Sequence, residues 1–347
     1  MKLTARNWRR PQVVGAGIAL AASLVLGACQ SSTTGNTSTS CSGTQPTIYM
    51  IGSTTNSTFW QALESGFVQG ASDFCVKGIY SAPTAHTNTD EIALISAALA
   101  AKPGGMAINY VDHSIYNSTV QALGEGVKVV LFNNNRFEPV NGDPATATTD
   151  PQVTSLAYVG QDEHQSGITL ANAFLSAIPT GKSVLWYPVV PEVQVITLRG
   201  NGVYSVLDAH NIKHEFLQAP GAPGQEGLDE ASDETTVCAY LKAHPEIGAV
   251  VGTSVTSPAT AKCAQQLGIS LPIAEFDVDL ESANFLQAGQ ITVAVDQQPF
   301  WQGYLAVENL AYELKYKIAP VNVNTGTLLV TKSNAADVIY AIQHQKD

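Results

Sequence analysis

The sequence is short of charge, and shorter still of positive charge. Only 13% of its 347 residues are charged, and 17 basic side chains stand against 29 acidic ones. So acidic a body repels a phosphate backbone, which argues against nucleic acid as a partner. Metal-site spacings are missing too. The five cysteines include no Cys-x-x-Cys pair, and the seven histidines include no His-Glu-x-x-His. We therefore expect no metal and no cofactor. Gly181-Lys182-Ser183 is the tail of a phosphate loop without its head, since Ser176 occupies the earlier glycine position. No Gly-x-Ser-x-Gly elbow occurs, and no repeat of 20 to 50 residues is visible. Nothing positive points to an enzyme.

Long apolar runs are scarce as well. The stretch from Val13 to Leu26 is apolar or small throughout, but too short to cross a bilayer as a mature helix. Lys2, Arg6, Arg9 and Arg10 precede it, the charge pattern of a secretion signal. Its end, Leu26-Gly27-Ala28-Cys29, resembles the bacterial lipobox. That resemblance implies loss of residues 1–28 and acylation of Cys29. The protein is then exported and anchored to the outer face of the cell membrane, or in the periplasm, by an N-terminal lipid. Cleavage leaves thirteen basic against twenty-nine acidic residues, a net charge of −16. Such acidity repels anionic lipid, so we expect attachment through the acyl chains and not through a basic patch. Gln30 to Gln45 is rich in Ser, Thr and Gly and, with Cys29, reads as a flexible tether over residues 29–45.

With Cys29 lipidated, Cys41, Cys75, Cys238 and Cys263 remain, an even set with three possible pairings. Export to an oxidising compartment permits disulfides. Closeness in sequence favours Cys41 with Cys75 and Cys238 with Cys263.

Roughly 300 residues follow the tether, ample for a large core. Strand-like runs fall at Pro46–Ile51, Gly105–Ile108, Val127–Phe132, Ala157–Val159, Ser183–Tyr187, Ala249–Gly252, Ile273–Phe276 and Ile291–Val295. Amphipathic stretches lie between them, among them Thr58–Phe74, Asp90–Ala101, His164–Ala177 and Val195–His210. This alternation predicts an α/β protein of two doubly wound parallel-sheet lobes. Ser57 or Thr58, Asp90, and Asp162 or Glu163 are placed to cap helices. Ligands bind at the carboxyl ends of strands in such sheets.

Three strand-end segments stand out. Ser53-Thr-Thr-Asn-Ser-Thr-Phe-Trp60 sets two rings beside hydroxyls and an amide, a combination that suits a sugar: rings stack on C–H faces while polar groups read hydroxyls. Asn109-Tyr-Val-Asp112 ends in a carboxylate able to accept hydroxyl bonds. Glu275-Phe-Asp277 carries another acid out of a strand, and Val295-Asp-Gln-Gln-Pro-Phe-Trp-Gln-Gly303 crowds amides and aromatics at the next exit.

From about Ile48 onward these segments, in this order, resemble the type I periplasmic sugar-binding proteins that feed ABC importers. The resemblance implies two similar lobes joined by three crossovers: residues 46–133 with 298–324, and residues 134–297 with 325–347. It places Ser53, Ser57, Phe59 and Trp60 on the first-lobe wall, Asp112 as the first-lobe acid, Asp277 as the second-lobe acid and Gln297 as the hinge amide. Asn133 falls at the first crossover. Thr197 stands where ribose binders carry a gripping arginine, with Arg199 at a neighbouring, more structural position, and Ser254 stands near an asparagine position. The implied function is capture of a small neutral sugar or polyol by a monomer and its delivery to an ABC permease. A sugar- or quorum-signal sensor and, less favoured, a secreted sugar-modifying enzyme are the alternatives.

Overall fold

The computed structural model describes residues 41–55, 57–84, 87–111, 113–134, 157–189, 191, 194–220 and 230–346. Strands β1 (Thr47–Ile51), β2 (Lys77–Ser81), β3 (Gly105–Ile108), β4 (Lys128–Phe132) and β5 (Ala157–Gly160) begin one sheet. Strands β6 (Ser183–Tyr187), β7 (His214–Phe216), β8 (Ile247–Thr253), β9 (Ile273–Phe276) and β10 (Val293–Asp296) begin another. The chain then returns β11 (Val323–Asn324) to the first sheet and β12 (Leu328–Val330) to the second. The orders are β11-β5-β4-β3-β1-β2 and β12-β10-β9-β8-β6-β7. All neighbours run parallel except β12, which is antiparallel to β10. The two parallel-sheet lobes expected from the alternating runs are there.

Burial explains which strands were visible in the sequence. β3, β6, β8, β9 and β10 are buried at every position, as sheets covered on both faces require, so they read as mainly apolar runs, with Glu275 and Asp296 the buried acids of β9 and β10. Edge strands β2 and β7 are partly exposed and carry Lys, Gly, His or Glu, which hid them.

Helices α1 (Thr58–Asp73), α2 (Asn88–Ala100), α3 (Tyr116–Gly124), α4 (Glu163–Phe174), α5 (Gln194–Ala209), α6 (Glu230–Ala243), α7 (Thr256–Leu267), α8 (Leu280–Ala288), α9 (Pro299–Tyr316) and α10 (Ala335–Gln343) flank the sheets. Each lobe has one helix pair in backbone contact through glycine. A Cβ on Gly66 of α1 would lie 1.9 Å from the Phe300 carbonyl oxygen of α9. A Cβ on Gly202 of α5 would lie 2.2 Å from the His164 carbonyl oxygen of α4. Cap chemistry is local: Thr87, not Asp90, caps α2, its hydroxyl oxygen accepting the Asp90 N–H at 3.0 Å. Asp162 caps α4 by accepting the Gln165 N–H at 3.0 Å, whereas the Ser57 side chain makes no cap bond on α1.

The chain first leaves the first sheet after Gly160, since Ala157–Val159 pairs in parallel with Val130–Phe132. The crossing expected at Asn133 is thereby corrected: the first sheet gains one more strand, β5, before the lobes exchange. The second passage follows Asp296 and the third follows Asn324. Cys41 is bonded to Cys75 at the end of α1, and Cys238 to Cys263 between α6 and α7. Cys29 lies outside the described residues. Among the described residues no helix is long and apolar enough to cross a membrane.

Candidate functional site

Four non-glycine residues at strand exits adopt left-handed backbone angles: Asn133 after β4 (φ 58°), Ser254 after β8 (φ 50°), Asp277 after β9 (φ 68°) and Gln298 after β10 (φ 54°). Each such residue costs about 1–2 kcal/mol, least for Asn and Asp, which bond locally. Three of them share one device. The Asn133 N–H donates to the Val159 carbonyl at 3.1 Å, the Ser254 N–H to Phe276 at 2.8 Å and the Asp277 N–H to Val295 at 3.2 Å. The parallel ladder thus extends one residue past the strand before the backbone reverses. Strain held this way at adjacent strand ends marks a place where side-chain direction matters more than local comfort.

A continuous polar chain joins those exits. In the first lobe Asn109 Nδ2 donates to Ser53 Oγ at 2.6 Å, and Asn109 Oδ1 accepts from Asn134 Nδ2 at 2.7 Å. Asn134 Nδ2 also reaches Asn133 Oδ1 at 2.7 Å, and Asn133 Nδ2 reaches Gln302 Oε1 at 3.3 Å. The Tyr158 hydroxyl donates to the Asn133 carbonyl at 2.8 Å, tying β5 to the same corner. Gln302, fully buried on α9, points its amide at the carbonyl and side chain of Gln297, 3.4 Å from each. Gln297 Nε2 in turn donates to Asp277 Oδ1.

Beyond Asp277 the chemistry becomes ionic. Arg199 Nη1 donates to Asp277 Oδ2 at 2.7 Å, while Arg199 Nε and Nη2 grip Glu163 at 2.5 and 3.3 Å. Gln161 Nε2 completes the shell on Glu163 at 2.5 Å. The Arg199 guanidinium also lies 5.3 Å over the Phe276 ring. Burial opposes the charge on Arg199, but the Asp277 and Glu163 carboxylates outweigh burial and hold its pKa above the ordinary value. Burial pushes the Glu163 carboxyl up, against the pull of Arg199. Arg199 and Glu163 are almost wholly covered, whereas the Asp277 side chain remains 25% exposed. Among the described residues two carboxylates answer one guanidinium, which leaves no surplus positive charge in this cluster. Asp277 is therefore a held, partly open acceptor.

The sequence-derived residues fare unequally. Ser53, Asn133, Asp277 and Gln297 enter the polar chain, and Ser254 sits at the neighbouring exit, partly buried. Ser57 and Phe59 are half-buried at the start of α1. Trp60 is corrected: only 3% exposed, it packs edge-on against Phe132 in the first-lobe core and is no wall of an opening. Thr197 is corrected as well. Its hydroxyl donates to the Pro191 carbonyl at 2.8 Å on the outside of α5, and Arg199 supplies the polar reach that Thr197 was expected to give. Asp112 lies outside the described residues. Asn109, Asn134, Glu163 and Gln302 were missed. Asn109 stood inside a segment already singled out and Glu163 had been read as a cap. Gln302 stood inside the Val295–Gly303 segment, but only the meeting of α9 with both lobes gives it partners. The Glu275-Phe-Asp277 exit divides its acids: Glu275 faces inward, fully buried, accepting from Ser282 Oγ at 2.7 Å, and burial pushes its carboxyl well above the usual range.

Across residues 48–318 the chain matches the periplasmic binding protein domain. It belongs to that family. The xylose/arabinose-binding protein XylF of Sulfolobus acidocaldarius is 24% identical over 262 residues, 72% of this chain. That alignment spans 62% of the relative's own length, less than two thirds of it. A carbohydrate transporter from Acidothermus cellulolyticus 11B, solved in complex with myo-inositol, is 25% identical with a TM-score of 0.71, covering 88% of this chain and all of that one. A periplasmic ribose ABC transporter from Conexibacter woesei, 15% identical, shares the fold with a TM-score of 0.73, covering 87% of this chain and 98% of that one. Periplasmic binding proteins are extracytoplasmic, the address that the pattern from Lys2 to Leu26 predicts.

Proposed function

We propose that this periplasmic binding protein captures one small neutral sugar or sugar alcohol between its lobes, as a monomer, and delivers it to an ABC importer. Cys29 carries the lipid that keeps it at the outer face of the membrane. The observation that supports this reading best is Asp277, a carboxylate fixed at both oxygens by Gln297 and Arg199 yet still open to solvent. A carboxylate so oriented accepts hydroxyl bonds without reorganising. Among the described residues an anion finds no unpaired cation beside Asp277. A neutral polyhydroxylated ligand fits both facts, and the half-buried Phe59 ring offers an apolar face for its C–H side. Asp112, at the end of the Asn109-Tyr-Val-Asp112 segment, is the matching first-lobe acid. Ser57 and Ser254 line the exits beside them.

Closure follows from differential contact. A ligand held by only one lobe gains part of its bonds, while one bridging Asp277 and the Ser53–Asn109 side gains both sets only when the lobes meet. The closed form is then the one a permease distinguishes. An epimer that leaves a buried hydroxyl unpaired loses roughly 1–3 kcal/mol.

A thermal-shift screen over pentoses, hexoses and polyols tests the reading, because a ligand bound only to the native state raises Tm. One or more members of the panel should do so, and Asp277→Ala or Asp112→Ala should weaken the best of them at least tenfold by calorimetry with the fold intact. Silence across the whole panel would refute the neutral-sugar reading. Wild-type affinity in both variants would displace the site. For the anchor, Cys29→Ala should move the protein out of the membrane fraction.

A further inference from the structure

The charge of this protein is not spread evenly. Of the eleven lysines that follow Cys29, five lie on one edge of the first lobe, the amino end of its parallel strands. Lys77 and Lys128 are the first residues of β2 and β4, Lys102 precedes β3, and Lys315 and Lys317 close α9. All five are exposed. Lys128 is paired with Glu313 at 2.7 Å. The other four stand against Asp73 and Glu125, which leaves this edge at +2 on a body of −16. Glu308 lies about two turns further up α9.

Aromatic and aliphatic groups fill the gaps between these lysines. Phe74 contacts Tyr312 with ring centroids 6.0 Å apart, and Tyr312 contacts Tyr316 at 5.6 Å. Tyr316 is 66% exposed and Ile318, just beyond it, 54%. Contacts make the patch continuous. Lys315 Nζ donates to the Phe74 carbonyl, and a Cβ on Gly104 would lie 3.2 Å from Leu314 of α9. The Lys77 N–H donates to the Pro46 carbonyl at 2.9 Å.

The described chain also begins on this edge. Cys41 is bonded to Cys75, one residue past Phe74 and two before Lys77. Only eleven residues separate Cys29 from Cys41. Even fully extended they reach about 40 Å, so an acylated Cys29 keeps this edge within that distance of the bilayer.

The geometry points to this edge as a docking face for an anionic phospholipid bilayer. Lysines approach the headgroups while the tyrosines and Ile318 settle at the headgroup level, where amphipathic rings are favoured. The acids on the rest of the molecule do not prevent it, since screening at physiological salt limits their reach to about 8 Å. Attachment through the lipid alone, the expectation from net charge, is thereby amended. Docked this way, the strand exits point away from the membrane and the opening at Asp277 stays free for solute arriving from outside. The inference extends the proposed anchoring at Cys29 and does not depend on which ligand is bound.

The test uses the mature chain from residue 29 with Cys29→Ser, so that no acyl chain contributes; its folded unit, residues 41–347, is intact. It is sedimented with vesicles of equal phosphatidylglycerol and phosphatidylcholine, and with phosphatidylcholine alone. Binding should appear with the anionic vesicles at low salt and fade as salt is raised. Lys315→Glu with Lys317→Glu should reduce it at least tenfold, each lysine contributing about fivefold. Tyr316→Ser should reduce it further, while Lys213→Glu with Lys242→Glu on the second lobe should not. No binding to anionic vesicles, equal binding to neutral ones, or equal loss from the second-lobe pair would each overturn the docking face. Thermal response to sugar, measured on the same variants, keeps the two readings apart. It should survive the lysine reversals, and its absence in the parent chain would strike the sugar proposal while leaving vesicle binding to be judged alone.

Discussion

The two lobes share one plan and differ in how they hold their polar groups. Each is a doubly wound parallel sheet with a glycine-mediated helix pair, α1 on α9 and α4 on α5. At the strand exits of the first lobe the described groups are neutral: Ser53, Asn109, Asn134 and Asn133. In the second they are ionic: Asp277 at the exit of β9, held by Arg199 of α5, which in turn grips Glu163 of α4. Neutral amides re-pair at modest cost, whereas a buried ion must keep its partner. The scaffold decides where side chains emerge, and the residues decide whether that place is adaptable or locked.

Five substitutions probe this contrast, in falling order of effect. Arg199→Met leaves Glu163 buried without a counter-ion, and should cost about 3–5 kcal/mol of stability. Asn109→Ala, its counterpart in the first lobe, should cost about 1–3 kcal/mol. Denaturant unfolding of both compares them directly, and equal losses would erase the distinction between the lobes. Next, Gly66→Ala and Gly202→Ala force apart helices whose backbones already touch. Each should cost about 1–3 kcal/mol, and a lobe that tolerates its substitution packs its helix pair more loosely than the other.

The smallest effect concerns Glu275, whose carboxyl burial raises above its unfolded value. Below the ordinary glutamate range both states hold the proton and folding loses nothing. As pH climbs past about 4.5 the unfolded chain releases its proton more readily than the folded one, so stability falls with rising pH. Glu275→Gln should remove that loss: a higher Tm than the parent protein at pH 8, and no such gain at pH 4. A gain that persists at pH 4 would mean packing, not protonation, is responsible.

How far the sequence was legible depended on the range of the interaction. Fully buried strands such as β6 and β8 announced themselves because nearly every side chain in them is apolar or small. Edge strand β2, Lys77–Ser81, did not, since one side of it meets water. Asp277 stood out because an acid leaving a buried strand is conspicuous. Trp60 misled, because an aromatic at a helix start looks the same whether it faces a ligand or Phe132. Arg199 was assigned a structural place, yet its ion pairs reach the open carboxylate. The first lobe exchange was set too early because a four-residue strand, Ala157–Gly160, carries no label for the sheet it joins.

By itself the sequence determined the alternation of strand and helix, and the acids and amides at strand ends. These depend on hydrophobicity, periodicity and turn chemistry within a few residues. Tertiary structure alone decided that Asn133, Gln302, Gln297, Asp277, Arg199 and Glu163, up to 169 residues apart, form one chain of bonds. It also gathered five lysines and a tyrosine pair on one edge of the first lobe of an acidic protein. Hydrogen bonds and charge act through space over a few ångströms, and only the fold brings distant residues that close.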